Sequence, residues 1–104
     1  MRIYGLKNCD TCRKAAKAIA GAELIDIRAN PMEPDLLAKA LETFGAALVN
    51  TRSTTWRGLS EEERANDPRD LLRAHSALMK RPLIDADGVL HLGWGKDTQG
   101  ALIG

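Results

Sequence analysis

The N-terminal stretch of the chain decides its fold. It reads Met1-Arg2-Ile3-Tyr4-Gly5-Leu6-Lys7-Asn8-Cys9-Asp10-Thr11-Cys12-Arg13-Lys14. Residues 2–6 predict a short buried strand, and a helix is expected from Asp10 to about residue 20, ending at Gly21. Cys9 therefore falls where a helix begins, among unpaired N–H groups and the positive end of the helix dipole. Both favour thiolate over thiol, so Cys9 is a candidate nucleophile.

Cys12 completes a Cys-x-x-Cys pair with Cys9. It lies about one helical turn further on and can reach back to close a disulfide, which is typical of a dithiol redox site. Cys12 also lies on an apolar helix face with Ala15 and Ile19, so a role as a small core residue stays open. The pattern favours a redox or nucleophilic role more strongly for Cys9 than for Cys12.

The composition restricts the class of protein. The 104 residues predict one domain, 1–104, with 44% hydrophobic and 28% charged residues, and no apolar run long enough for a membrane span. The apolar run before Lys7 is too short for a signal peptide, so a cytoplasmic monomer is expected. A net charge of +1 argues against direct nucleic-acid binding. The two histidines, His75 and His91, lack zinc-module spacing, so no metal is expected.

The first strand and helix are followed by a second strand predicted over residues 23–27. A strand, a helix and a strand at this spacing form a βαβ unit, which normally gives two parallel strands and a right-handed crossover. The cysteines then lie at the carboxyl end of the first strand, where open α/β sheets place their chemistry.

The middle of the chain predicts helices. Pro34 suits the first position of a helix that runs to Gly45, Ser60 has the spacing of a capping box with Glu63, and Asp67-Pro68 opens a further helix. The apolar stripe expected on that last helix comprises Leu71, Leu72, His75, Leu78 and Met79. A partly buried His75 with one hydrogen bond is favoured there over a catalytic histidine.

The chain ends in a predicted hairpin. Asp87-Gly88, the pair that best forms a type I′ turn, separates two apolar runs, and residues 95–104 suit one short helix or a frayed tail without chemistry. The order of elements predicts an α/β protein with a thioredoxin-like (glutaredoxin-like) fold. Its mixed four-stranded sheet would be interrupted by a helical insertion.

Three motifs in order identify a family resemblance. They are Ile3-Tyr4-Gly5-Leu6-Lys7-Asn8-Cys9-Asp10-Thr11-Cys12-Arg13-Lys14-Ala15, Asn50-Thr51-Arg52-Ser53-Thr54-Thr55-Trp56-Arg57 and Lys80-Arg81-Pro82-Leu83-Ile84. Together they resemble the arsenate reductase-like (ArsC) family, and the Spx/YffB branch in particular. The resemblance covers nearly the whole chain, and three ordered motifs are far more specific than one Cys-x-x-Cys.

The resemblance assigns roles at the site. It implies that Cys9 is the nucleophile and that Arg81-Pro82 faces it, with a cis peptide bond between the two residues. Arg81 would lower the Cys9 pKa and hold an oxyanion or a carboxylate. The alternative for Arg81 is a surface arginine at the end of the preceding helix.

The chain departs from the arsenate-reducing members of the family. Those members grip the oxyanion with three arginines, and motif alignment puts Asn50 and Gly93 at two of the three positions. Arg81 remains, and Arg52 lies close enough in sequence to substitute in part. Because each lost charge-assisted contact weakens binding by roughly 1.5–3 kcal/mol, efficient arsenate reduction is not expected.

Glutathione is the co-substrate that the resemblance implies. Its two carboxylates could meet Lys7, Arg13, Arg52 and Arg81, and Pro82 would present backbone polar groups to the bound substrate. Arg57 is a further candidate for these contacts. The alternative for the cations is a set of solvated surface charges, and this alternative is favoured for Arg57. Trp56 and Trp94 suit either the core or a groove lining.

Two classes of function therefore compete. The leading one is a glutathione-dependent thiol–disulfide reductase in which Cys9 attacks a disulfide and either Cys12 or a second glutathione resolves the mixed disulfide. The alternative is an Spx-like redox regulator that binds the α-subunit of RNA polymerase and uses the cysteines as a switch. Arsenate reduction is a third, disfavoured, possibility.

Overall fold

The computed structural model describes residues 1–103, which form a mixed α/β protein. In chain order the elements are β1 (Arg2–Gly5), α1 (Asp10–Ala18), β2 (Glu23–Asp26), α2 (Pro34–Phe44), α3 (Thr54–Arg57), α4 (Glu61–Arg64), α5 (Pro68–Ala74), β3 (Leu83–Ala86), β4 (Val89–Leu92) and α6 (Lys96–Ile103), with 3₁₀ turns at Gly45–Leu48 and Ser76–Leu78. Within these residues no helix is both long and apolar enough to cross a bilayer.

The strands form one mixed sheet in the order β2-β1-β3-β4. β1 and β2 pair in parallel, while β3 pairs antiparallel with both β1 and β4. The parallel register places Gly5 opposite Asp26 at the carboxyl end of both strands. The predicted thioredoxin-like fold, with its βαβ unit, four-stranded mixed sheet and helical insertion, is confirmed.

The chain forms two compact units. The sheet unit combines Met1–Asn30 with the segment from Arg81 onward, and the inserted unit is Pro31–Lys80. The core of the sheet unit centres on Ile3 of β1, Ala15 of α1, Ile19 just after α1, and Ile84 of β3. Trp94 packs partly buried against this cluster, so it belongs to the core of the sheet unit.

Helix α1 ends earlier than its sequence predicts. Its last residue is Ala18, and Ile19 already has extended angles (φ −100°, ψ 107°), although its N–H still donates to Ala15 O. Ile19 is buried in the core of the sheet unit, so the residue packs in the core in an extended conformation and not as part of the helix. Gly21 then adopts a φ of 78°, which glycine tolerates and other residues rarely do.

Three predicted helix boundaries in the inserted unit are confirmed. α2 begins at Pro34, where the missing proline N–H costs nothing, and ends before Gly45, whose φ is 57°. At α4 the Ser60 hydroxyl accepts from Glu63 N, and the Glu63 carboxylate accepts from Ser60 N. This is the predicted capping box.

The prediction that α5 continues through His75, Leu78 and Met79 is wrong. The helix ends at Ala74, His75 leaves the helical region (φ −133°, ψ 83°), and a 3₁₀ turn follows. Met79 then bridges Val49, and Lys80 N donates to Leu48 O at 2.8 Å. The apolar residues are buried as expected, but strand-like pairing with Leu48–Val49 replaces the last helical turn.

His75 is partly buried, as predicted, with 35% of its side chain exposed. Its ring Nε2 lies 3.9 Å from Glu63 Oε2, which is beyond hydrogen-bond range. Glu63 therefore does not supply the predicted hydrogen bond. Because the ring is partly open to solvent, water can serve its polar atoms.

The C-terminal hairpin has the predicted turn. Asp87 and Gly88 both have positive φ, at 52° and 92°, as a type I′ turn requires. The Arg81–Pro82 peptide bond, which precedes β3, is cis as predicted. The last described residues form the short helix α6, so the alternative of a frayed tail does not hold for residues 96–103.

Candidate active site

Cys9 is the N-cap residue of α1. Its backbone is extended (φ −90°, ψ 117°), its N–H donates to Leu6 O at 3.1 Å, and its carbonyl accepts from Arg13 N at 3.0 Å. The residue is partly exposed. The sulfur atom therefore lies at the helix start and within reach of solvent, as a nucleophile requires.

The pKa of the Cys9 thiol is lowered in the folded protein. Burial alone would raise this pKa, but the Cys12 backbone N–H, the Cys12 thiol, the charge of Arg81 and the Thr11 N–H together outweigh it. The two N–H groups belong to the first turn of α1, where backbone N–H groups lack helical partners and favour a negative charge. The lowered pKa agrees with the prediction for Cys9.

Cys12 lies in the opposite environment. It is completely buried, and burial raises the pKa of the Cys12 thiol to about 11. The backbone N–H of Leu6 and the charge of Arg81 act against that rise, whereas the Cys9 thiol and its charge reinforce it. At neutral pH Cys12 therefore keeps its proton, and its S–H can donate a hydrogen bond to the Cys9 thiolate.

A close approach to Gly5 accommodates the Cys12 sulfur. A Cβ atom built on Gly5 would overlap Cys12 Sγ and lie 3.2 Å from Cys12 Cβ. Sequence reasoning did not identify Gly5. The available signal was a glycine at the end of a buried strand, which often marks a close approach of another group to the backbone.

Asp26 organises the loop that leads to Cys9. Its carboxylate accepts from Lys7 N at 3.1 Å and, on the other side, from Arg28 N at 2.8 Å and Ala29 N at 3.3 Å. These hydrogen bonds, that of Lys7 N first, lower the pKa of Asp26. Sequence reasoning missed this residue too, because its partner lies 19 positions away.

Arg81 and Pro82 enter the site from the start of β3. The charge of Arg81 lowers the pKa of both cysteine thiols, so it favours the thiolate form of each. Pro82 is buried, and its carbonyl accepts from Gly93 N at 2.8 Å. Gly93 has a φ of 84°, a conformation that would strain an arginine there.

The remaining predicted site residues of the sheet unit are exposed. Arg13 pairs with Asp10 across one helical turn, with 2.5 Å between the nitrogen and oxygen atoms. Lys7 lies in the turn before Cys9 and borders a cleft of about 410 Å³ that carries both signs of charge. Neither cysteine lines that cleft, so it lies apart from the sulfur atoms.

Arg52 belongs to the inserted unit. Its N–H donates to the Asn50 side-chain oxygen at 3.1 Å, and Asn50 O accepts from the Ser53 hydroxyl at 2.8 Å. Ser53 in turn caps α3 by accepting from Trp56 N at 3.1 Å. Asn50 therefore shapes the turn before α3, and Arg52 is exposed on that turn.

Trp56 holds an arginine within the inserted unit. The Arg64 guanidinium lies 5.3 Å from the Trp56 ring centroid, and two of its nitrogens donate to Trp56 O at 3.2 and 3.1 Å. This arrangement combines a cation–π contact with charge-assisted hydrogen bonds. Trp56 thus has a packing role that ties α4 to α3.

The chain belongs to the ArsC family, whose model matches residues 4–102. A protein of Haemophilus influenzae is 38% identical over 109 residues, covering 95% of this chain and 96% of that protein. The family match spans both cysteines and the Arg81-Pro82 pair.

Solved structures share the fold over nearly the full length. The chain is similar to the YffB protein, with a TM-score of 0.87, 25% identity, and coverage of 99% of this chain and 98% of that one. It is also similar to an arsenate reductase-related protein from Brucella melitensis, with a TM-score of 0.72, 31% identity and coverage of 96% and 91%. The chain therefore has the fold of arsenate reductase-like thiol oxidoreductases.

Proposed function

We propose that the protein is a glutathione-dependent thiol–disulfide reductase whose nucleophile is Cys9. The observation that carries the proposal is the contrast between the two sulfurs: Cys9 is accessible with a lowered pKa, and Cys12 is buried with a raised one. A thiolate that forms readily and meets solvent is the species that attacks disulfides.

In the first step the Cys9 thiolate attacks the glutathione sulfur of a mixed disulfide. The Cys9–sulfur bond forms, the substrate disulfide breaks, and the substrate thiol leaves as a thiolate that takes a proton from solvent. Arg81, whose charge favours the Cys9 thiolate, would also attract a glutathione carboxylate. Lys7 and Arg13 of the sheet unit are further candidates for that contact.

The second step has two routes. A second glutathione thiolate can attack the Cys9 adduct, which releases oxidised glutathione and restores the Cys9 thiolate. Alternatively Cys12 loses its proton and attacks the Cys9 sulfur, which releases reduced glutathione and leaves a Cys9–Cys12 disulfide for two glutathione molecules to reduce. The raised pKa of Cys12 slows the second route at neutral pH.

Arsenate is a poorer candidate substrate. Of the three oxyanion-gripping positions implied by the resemblance, one carries Asn50 and one carries Gly93. Asn50 is engaged in a turn, and the positive φ of Gly93 disfavours any larger side chain. Arsenate turnover should therefore be low compared with the reduction of a mixed disulfide.

The proposal is tested by a coupled assay with glutathione, glutathione reductase and NADPH. The purified protein should consume NADPH when offered a peptide–glutathione mixed disulfide, and Cys9→Ser should remove the rate because a hydroxyl cannot replace the thiolate. Retained activity in Cys12→Ser would indicate the glutathione route, whereas loss with a trapped Cys9 adduct would indicate the Cys12 route. No disulfide reduction by the wild type would contradict the proposal.

The regulator hypothesis predicts a different result. A redox switch should bind the C-terminal domain of the RNA polymerase α-subunit in only one oxidation state of Cys9 and Cys12. A pull-down with the reduced and the oxidised protein measures this directly. Redox-dependent binding together with absent turnover would favour the regulator, and turnover without binding would favour the reductase.

A further inference from the structure

The Cys12 sulfur occupies space that exists only because residue 5 has no side chain. A Cβ atom at Gly5 would overlap Cys12 Sγ, lie 3.2 Å from Cys12 Cβ and lie at an ordinary 3.9 Å from Leu24 Cδ1. The obstacle to a side chain at Gly5 is therefore Cys12 itself, and its sulfur above all.

The backbone at Gly5 does not itself demand glycine. The φ of Gly5 is not positive, and Gly5 pairs in the regular parallel register opposite Asp26. Alanine can adopt a strand conformation, and glycine within a strand gives up packing and loses more entropy on folding. The local geometry therefore offers a steric reason for glycine here, and that reason is the sulfur atom.

We propose that Gly5 is a positioning residue for the dithiol: its missing side chain leaves the space in which Cys12 holds its thiol against Cys9. Cys12 is on this account more than a core residue, because an apolar residue of any shape could fill a core without a matching gap in β1. The inference takes the nucleophilic role of Cys9 from the proposed function.

The influence of the Cys12 thiol on Cys9 gives Gly5 a measurable chemical effect. The Cys12 thiol and the Cys12 backbone N–H both favour the Cys9 thiolate. A methyl group at position 5 must displace the Cys12 sulfur, and the backbone N–H groups of the first helical turn would move with it if α1 shifts. Gly5→Ala should therefore reduce the fraction of Cys9 that is thiolate at neutral pH.

The test is a double-mutant cycle read by the rate at which iodoacetamide alkylates Cys9. Gly5→Ala should slow alkylation about tenfold at a pH below the Cys9 pKa, since a hydrogen bond to a charged group is lost. Cys12→Ala should also slow alkylation, but adding Gly5→Ala to Cys12→Ala should change the rate less than about twofold. The matched control is Gly100→Ala, because a Cβ atom at Gly100 meets no atom within 4 Å.

Stability provides the second readout of the same cycle. Gly5→Ala should lower the urea midpoint of unfolding, and Cys12→Ala should recover most of that loss by removing the overlapping sulfur. If Gly5→Ala alone fails to fold, recovery of folding in the double variant supports the proposal and failure to recover overturns it.

Two other results would overturn the proposal. One is a wild-type alkylation rate in folded Gly5→Ala, and the other is an equal effect of Gly5→Ala in the wild-type and Cys12→Ala backgrounds. Because alkylation requires neither glutathione nor a disulfide substrate, these results are independent of turnover. A chain without reductase activity could still show the predicted coupling.

Discussion

The helix that carries the cysteines begins differently from three helices of the inserted unit. Helices α3, α4 and α5 each begin at a residue whose side chain accepts a hydrogen bond from the first turn: Ser53, Ser60 and Asp67. Helix α1 begins at Cys9, whose side chain makes no such bond. Three helices of the inserted unit are therefore capped by a side chain. The cysteine-bearing helix α1 has no such cap, and neither does α2, which has Pro34 at its first position.

The difference shows how a helix start can serve chemistry. An N-cap oxygen satisfies an otherwise unpaired N–H and stabilises the helix by roughly 0.5–2 kcal/mol. A thiol at the same place is a weaker acceptor, so the N–H groups of Thr11 and Cys12 remain available to a thiolate. Cys9 therefore gives up the stability that a serine cap would contribute, and the same N–H groups instead lower the pKa of its thiol.

The largest expected effect comes from exchanging the cap atom at α1. Cys9→Ser should reduce thiol–disulfide turnover by at least about a thousandfold, because the nucleophile is removed. The same variant should unfold at a higher urea concentration, since serine is a better N-cap by about 0.5–1 kcal/mol. Coupled turnover and urea unfolding measured on one preparation check both parts. A loss of activity together with a loss of stability would break the comparison.

Arg81 should contribute the next largest effect, because it adds a positive charge to the uncapped helix start. Arg81→Ala should raise the Cys9 pKa and slow iodoacetamide alkylation by several-fold, up to about tenfold. The difference should shrink at high salt as the charge is screened. Arg73→Ala, which removes an exposed arginine from α5, is the matched control. Equal rates in the Arg81 and Arg73 variants would contradict a role for Arg81 at the thiolate.

Ser60→Ala tests the other side of the comparison. Loss of the capping box at α4 should lower the free energy of unfolding by about 1 kcal/mol, with no change in Cys9 alkylation. Urea unfolding measures the change in the free energy of unfolding, and iodoacetamide treatment of the same protein measures the Cys9 alkylation rate. An altered alkylation rate would show that the cap affects more than helix stability.

The smallest effect concerns Asp26 and low pH. Its pKa is lowered in the folded protein, so its carboxylate stabilises the fold above its unfolded-state pKa of about 3.9, and this contribution is lost as pH falls through the folded-state pKa. Asp26→Asn should therefore be less stable than the wild type at neutral pH, and the two should converge in acid. A difference that is constant with pH would show that ionisation of Asp26 does not matter.

Much of the local structure could be predicted from the sequence because its causes lie within a few residues. The capping box at Ser60 and Glu63, the start of α2 at Pro34 and the type I′ turn at Asp87-Gly88 each depend on side chains next to the backbone that they shape. The prediction that helix α5 continues through His75 was wrong because a contact with a distant residue intervened. There, pairing of Met79 with Val49 replaced the helical continuation that the apolar spacing predicted.

The sequence by itself determined where a reactive cysteine could lie, because a Cys-x-x-Cys at a strand–helix junction carries its own N–H groups and dipole. Only the tertiary structure decided what surrounds the two sulfurs. Gly5 is close to Cys12 in sequence, but its close approach to the Cys12 sulfur depends on how α1 packs against β1. The Asp26 carboxylate reaches Lys7 N from β2, and the charge of Arg81 reaches the cysteines from the segment that precedes β3. These last two contacts join residues far apart in sequence, so no local pattern encodes them. They exist once β1, β2 and β3 have paired in register.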